Sequence, residues 1–175
     1  MQDPYITRGG AGFRTSYFSH SPADTEAWAA SLASCLQAGD LIPLYGDLGA
    51  GKTCLARGLA RGLGVQGQVA SPSFTYLREH QPGQEGRPAL YHFDCYRFHS
   101  PEDWYDLGFA DYLDGAGVVL IEWPSRILDV LPTPDLVISL SPGERDQDRL
   151  IELWASPDLG PERLKALEKL LACSF

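Results

Sequence analysis

The 175-residue chain contains no C-x-x-C pair. Its four cysteines, Cys35, Cys54, Cys95 and Cys173, stand far apart, which excludes the common zinc spacings and offers no disulfide framework. Reduced, mostly buried thiols are expected. No stretch approaches the roughly 18 apolar residues of a membrane span, and the N-terminus MQDPYITRGGAGFRTSYF lacks the apolar run of a signal peptide. The expected location is cytoplasmic, with no membrane partner. Positive charge is scarce: 14 Lys and Arg stand against 23 Asp and Glu, a formal net charge of −9. A chain of that sign repels phosphate backbones. DNA is therefore not an expected partner, and contact with RNA needs a local basic patch or another subunit.

What is present is enough chain for one domain with its own apolar core. Residues 1–13, with Gly9, Gly10 and Gly12, read as a mobile lead-in to a single domain over 14–175. Arg14–Ser19 fits a short strand. From Ser21 to Gly39, Trp28, Leu32, Cys35 and Leu36 recur on one helical face. LIPLY (41–45) is short and apolar, as a buried strand is. After Thr53, Leu55, Leu59 and Leu63 form a stripe that Gly64 can cap. Gly58 and Gly62 inside that helix each cost about 1 kcal/mol relative to alanine, which predicts close packing, here expected against the sheet. Further strands are expected at Ala89–Tyr96, Val118–Glu122, Leu136–Leu140 and Leu150–Trp154, with helices at Pro101–Leu107 and Pro161–Leu171.

Between LIPLY and that helix stands GDLGAGKT, which fits GxxxxGK[ST] at every fixed position. The pattern alone is loose; strand before and helix after supply its context. Glycines let the backbone approach a phosphate and aim N–H groups at it, and the helix adds the positive end of its dipole. The candidate nucleotide-binding segment comprises Gly46, Asp47, Leu48, Gly49, Ala50, Gly51, Lys52, Thr53 and Cys54. Lys52 is placed to reach the β- and γ-phosphates of a triphosphate, and Thr53 to offer its hydroxyl to a magnesium ion. The bland alternative is a glycine turn with an exposed lysine.

Magnesium wants oxygen ligands, so carboxylates at strand ends are the next search. Asp94 lies in the alternating segment YHFDCYR, where a charge is costly unless it faces a cation; an ion pair with Arg97 is the plainer alternative. Glu122 ends the aliphatic run VVLIE, the place where open α/β sheets present ligands; a solvated strand end is the alternative. In VASPSFTYLRE, Ser71 and Ser73 offer hydroxyls suited to a phosphate or its metal, and to a change of order when that phosphate leaves. A turn followed by a strand explains them equally well.

GDLGAGKT, SPSFT, HFDCYR and IEW, in this order and spacing from about Thr15 to Trp154, resemble the bacterial TsaE (YjeE) family, small P-loop ATPases required for threonylcarbamoyladenosine in tRNA. The resemblance implies a single-domain α/β fold of P-loop NTPase type, its central sheet mixed and mostly parallel and flanked by helices. It implies ATP and Mg2+ as cofactors and TsaB and TsaD as partners, with tRNA met only through that complex. On the matching positions it implies phosphate and magnesium binding by Lys52 and Thr53, and support of metal and water by Asp94 and Glu122. Trp123 follows the glutamate, near the nucleotide. Two positions depart: SPSF replaces the family's usual SPTF, and Pro124-Ser125-Arg126 lacks the acidic residue often found after the tryptophan. A small-molecule kinase and a nucleotide-sensing adaptor without turnover are the competing functions; the scattered arginines show no compact kinase lid.

Overall fold

The computed structural model describes residues 12–172. Seven strands, β1 (Phe13–Ser19), β2 (Leu41–Tyr45), β3 (Leu77–His80), β4 (Ala89–Asp94), β5 (Gly117–Glu122), β6 (Leu136–Pro142) and β7 (Arg149–Ala155), form one sheet in the order β1-β7-β6-β2-β5-β4-β3. β4, β5, β2 and β6 are parallel neighbours, while β3, β7 and β1 join through antiparallel ladders. Only β3 and β7 oppose the rest, so the sheet is mixed and mostly parallel, as expected. The aliphatic runs supply its centre because both sheet faces are covered. Within β5, Val118 and Leu120 join one hydrophobic cluster and Val119 and Ile121 the other, with Phe93 and Trp104, by the two-residue period of a strand. Pro43 has no N–H to give, and β2 tolerates it because pairing with β6 starts only at Leu44.

The helices are α1 (Pro22–Leu32), α2 (Lys52–Gly62), the single turn α3 (Asp103–Asp106) and α4 (Pro161–Ala172). Ser21 caps α1 by accepting the Asp24 N–H at 3.1 Å. The helix expected to reach Gly39 ends earlier, at Leu32, with a 3-10 turn over Ala33–Cys35. Competing partners explain this: the Asp40 carboxylate takes the Gln37 N–H at 2.8 Å, and Arg163 donates to the Cys35 carbonyl at 3.1 Å. Pro101–Leu107 shrinks to α3 for a similar reason, since the Asp103 carboxylate accepts the His99 N–H at 2.7 Å.

Gly58 and Gly62 do mark close packing, but against α1 rather than the sheet. A Cβ on Gly58 would meet the Glu26 carbonyl and stand 2.6 Å from Ala29 Cβ; one on Gly62 would stand 2.5 Å from Ala33 Cβ. The lead-in expected over 1–13 lies outside the described residues as far as residue 11, and Phe13 already belongs to β1. Of the thiols, Cys95 is buried, Cys35 and Cys54 are half-buried, and Cys173 lies outside the described residues. The expectation of mostly buried thiols therefore holds for Cys95 alone.

Candidate functional site

β2 delivers the chain to the carboxyl edge of the parallel strands, where it turns through the glycine loop into α2. Gly46 has φ 146°, and a Cβ there would stand 2.9 Å from the Leu140 carbonyl oxygen and 3.0 Å from Ala50 Cβ, so only glycine leaves the loop its shape. Gly51, at φ 102°, is the residue before α2, and no side chain caps the helix. The first-turn N–H groups, which have no i−4 carbonyl, are thus left to a ligand or water, together with the positive end of the dipole.

Lys52 is buried, at 6% exposure, which excludes the exposed-lysine alternative. Its ammonium donates to the carbonyls of Gly46 at 2.8 Å and Asp47 at 3.0 Å, and stands 4.3 Å from the centre of the Trp123 ring. An ammonium has three donors, so one remains after those two bonds. Burial lowers its pKa, and the charges of Glu122, Asp94 and Asp47 oppose that shift. Trp123 itself holds a left-handed backbone at φ 58° and ψ 45°, an uncommon conformation for a bulky residue, and packs 5.0 Å from Tyr96 between ring centroids.

The ladders align the two carboxylates. Asp94 on β4 pairs with Glu122 on β5, which pairs with Leu44 on β2, two residues before the loop opens at Gly46. Both acids are buried, at 4% and 3% exposure, so Glu122 is not a solvated strand end. Asp94 Oδ2 accepts from Ser73 Oγ at 2.7 Å and Ser71 Oγ at 3.2 Å, and Oδ1 accepts the Tyr96 N–H at 3.0 Å. The alternative pairing of Asp94 with Arg97 does not occur: Arg97 is exposed and makes no ion pair among the described residues. Glu122 Oε1 lies 2.8 Å from Nε2 of His92, a fully buried ring whose Nδ1 has no partner. With the carboxylate as acceptor, Nε2 carries the proton.

A carboxylate offers about four acceptor positions. Asp94 accepts three hydrogen bonds and keeps about one position open, while Glu122 accepts one, so Glu122 retains the greater capacity to accept from a water. Among the described residues no group of three or more His, Cys, Asp or Glu side chains is arranged to hold a metal. The oxygen set of Thr53, Asp94 and Glu122 suits magnesium, which keeps several waters and takes substrate phosphates with only one or two protein carboxylates. Thr53 and Cys54 are half-buried on the first turn of α2, and Asp47, Leu48 and Gly49 are exposed at the loop tip above buried Ala50.

Two contributors escaped the sequence reading. His92 stands inside YHFDCYR, where its alternation with Asp94 gave the only signal. Arg149 was one of the scattered arginines, yet its guanidinium donates to the loop carbonyls of Ala50 at 2.8 Å and Gly49 at 3.1 Å. Nothing local in RLIELW announces a contact about 100 residues back in the chain.

The family model described as threonylcarbamoyl adenosine biosynthesis protein TsaE matches residues 19–151. The chain is 43% identical over 122 residues to the tRNA threonylcarbamoyladenosine biosynthesis protein TsaE of Treponema pallidum, covering 70% of this chain and 87% of the relative. It is 38% identical over 126 residues to the Haemophilus influenzae protein of the same name, covering 72% and 77%. The crystal structure of YdiB from Bacillus subtilis superposes with a TM-score of 0.75 at 32% identity, covering 95% of this chain and all of that one.

Proposed function

The chain belongs to the TsaE family of threonylcarbamoyladenosine biosynthesis, and from that premise we propose that it binds and hydrolyses ATP with magnesium in the cytoplasm, within a complex with TsaB and TsaD, meeting tRNA only through them. The observation that carries this reading is the alignment of buried Asp94 and Glu122 on neighbouring parallel strands, at the edge where an uncapped helix and the buried ammonium of Lys52 face a ligand. Two buried carboxylates need nearby positive charge. Lys52 supplies one charge, and the magnesium ion of a bound nucleotide would supply the rest of the balance.

The loop N–H groups and Lys52 bind and orient the phosphates. Thr53 and Asp94 are the residues that would hold magnesium, which when bound neutralises charge between the β- and γ-phosphates. Glu122, steadied by His92, accepts a hydrogen bond from the attacking water and aims it. Ser73 and Ser71, now on Asp94, are placed to exchange that partner for the phosphate or its metal. Trp123 shields Lys52 from bulk water. A docking partner is supported by the apolar groups left in water around the loop: Leu48 is 92% exposed, Phe74 88% and Tyr96 54%. Measuring phosphate release with and without TsaB and TsaD tests the proposal. Release that needs magnesium and rises with the partners supports it; tight ATP binding with no release in any mixture would make the protein a sensor rather than an enzyme.

A further inference from the structure

Arg149 opens β7, where its backbone is paired on both sides, with Pro142 of β6 and Ser19 of β1. From that fixed base its guanidinium makes four hydrogen bonds, all to backbone carbonyls: Nε to Ala50 at 2.8 Å, one terminal nitrogen to Gly49 at 3.1 Å, and the other to Asp146 and Asp148, each at 2.7 Å. Four of its five N–H groups are thereby used. No ion pair neutralises it among the described residues, and the adjacent acid, Asp148, turns its side chain to His20 at 3.3 Å and to the Arg145 N–H at 3.3 Å.

A peptide unit is planar and trans, so its C=O and the following N–H point in opposite directions. Gripping the Gly49 carbonyl sets the Ala50 N–H, which donates to the Asp47 carbonyl at 3.1 Å. Gripping the Ala50 carbonyl turns the Gly51 N–H, just before α2, away from the guanidinium. From this geometry we infer that Arg149 is a positioning residue for the glycine loop, a clamp from the β6–β7 hairpin that orients two successive peptide planes before any ligand arrives. Its unneutralised charge also adds to the positive potential that attracts a polyphosphate. The role rests on the reading of the loop as a nucleotide site, yet the clamp itself is made by the loop's own carbonyls.

The test uses the full chain as wild type, Arg149→Met and Arg149→Lys. Amide hydrogen exchange over residues 48–53 is measured without nucleotide, and affinity for magnesium with a non-hydrolysable ATP analogue is measured by calorimetry. Arg149→Met is expected to speed loop exchange and to weaken affinity roughly tenfold or more, with the unfolding midpoint little changed. Arg149→Lys keeps the charge but lacks the fork that spans four carbonyls, so it is expected to recover part of the affinity while loop exchange stays fast. Unchanged exchange in both variants would overturn the inference; should Arg149→Met not fold, unchanged exchange in Arg149→Lys alone would do so. An unmodified chain that fails to bind the analogue would refute the proposed function, while the exchange comparison would still decide the clamp.

Discussion

Ser73 Oγ donates to Asp94 Oδ2 at 2.7 Å, and Ser71 Oγ shares that oxygen at 3.2 Å. The SPSF segment is thereby tied to a buried acid of the candidate site, beside the exposed ring of Phe74. A hydroxyl that can leave the acid for an incoming phosphate converts nucleotide state into the order of a surface segment. Ser73→Ala is therefore expected to reduce stimulation of ATP turnover by TsaB and TsaD severalfold while nucleotide affinity falls less, since Ser71 still donates to Asp94. An equal loss in both quantities would assign Ser73 to binding instead.

The carboxylates separate by their remaining acceptor capacity. Glu122→Gln keeps the shape but not the basicity, and turnover is expected to fall roughly 10²-fold or more at saturating magnesium. Asp94→Asn is expected to raise the magnesium concentration needed for half-maximal rate, and Thr53→Ala to share that defect. Steady-state rates across a magnesium titration check both. Full activity in both carboxylate variants would make the acids structural.

Lys52 donates to the carbonyls of its own loop, so its removal acts on ligand binding and on loop shape together. A charge-assisted hydrogen bond contributes about 1.5–3 kcal/mol, and Lys52→Ala is expected to weaken ATP binding by at least roughly tenfold. The fold is expected to persist, because the carbonyls of Gly46 and Asp47 lie at the loop mouth, where water can replace the ammonium. Calorimetry and far-ultraviolet circular dichroism on one sample check the pair of outcomes; wild-type hydrolysis by a folded Lys52→Ala chain would remove the lysine from the site.

Gly58→Ala and Gly62→Ala each gain about 1 kcal/mol of helix propensity, yet the new Cβ meets α1 or the 3-10 turn that ends it, at 2.6 Å from Ala29 Cβ and 2.5 Å from Ala33 Cβ respectively. Overpacking of this kind costs about 1–3 kcal/mol, so both variants are expected to unfold at a lower temperature than wild type. A raised midpoint in either would show that α1 and α2 can separate without cost.

The parts legible in the sequence were those with a local signature. LIPLY, the glycine loop and the stripe of α2 announced themselves by period and turn residues, and Asp94 and Glu122 by a charge at the end of an apolar run. The resemblance implied the partners and a place for Trp123 near a nucleotide; the structure sets Trp123 against Lys52. What the sequence could not reveal was the pairing across strands. Whether Asp94 faced Arg97 or the serines, and which of the arginines reached the loop, depends on ladder register and on the hairpin that brings Arg149 to Gly49. The early end of α1 was hidden for the same reason, because Arg163, which caps Cys35, comes from α4.

Initial rates of phosphate release from magnesium ATP, measured for the chain alone, with TsaB, with TsaD and with both, test the central claim most directly. Among the described residues Arg97 is exposed and the guanidinium of Arg149 is committed to carbonyls, so neither arginine stands ready for the transferring phosphoryl group. Extra positive charge at that group commonly raises turnover by 10³–10⁵ in related chemistry. The account predicts slow release by the chain alone and a marked rise when both partners are present. Rapid release by the chain alone, unchanged by either partner, would contradict it.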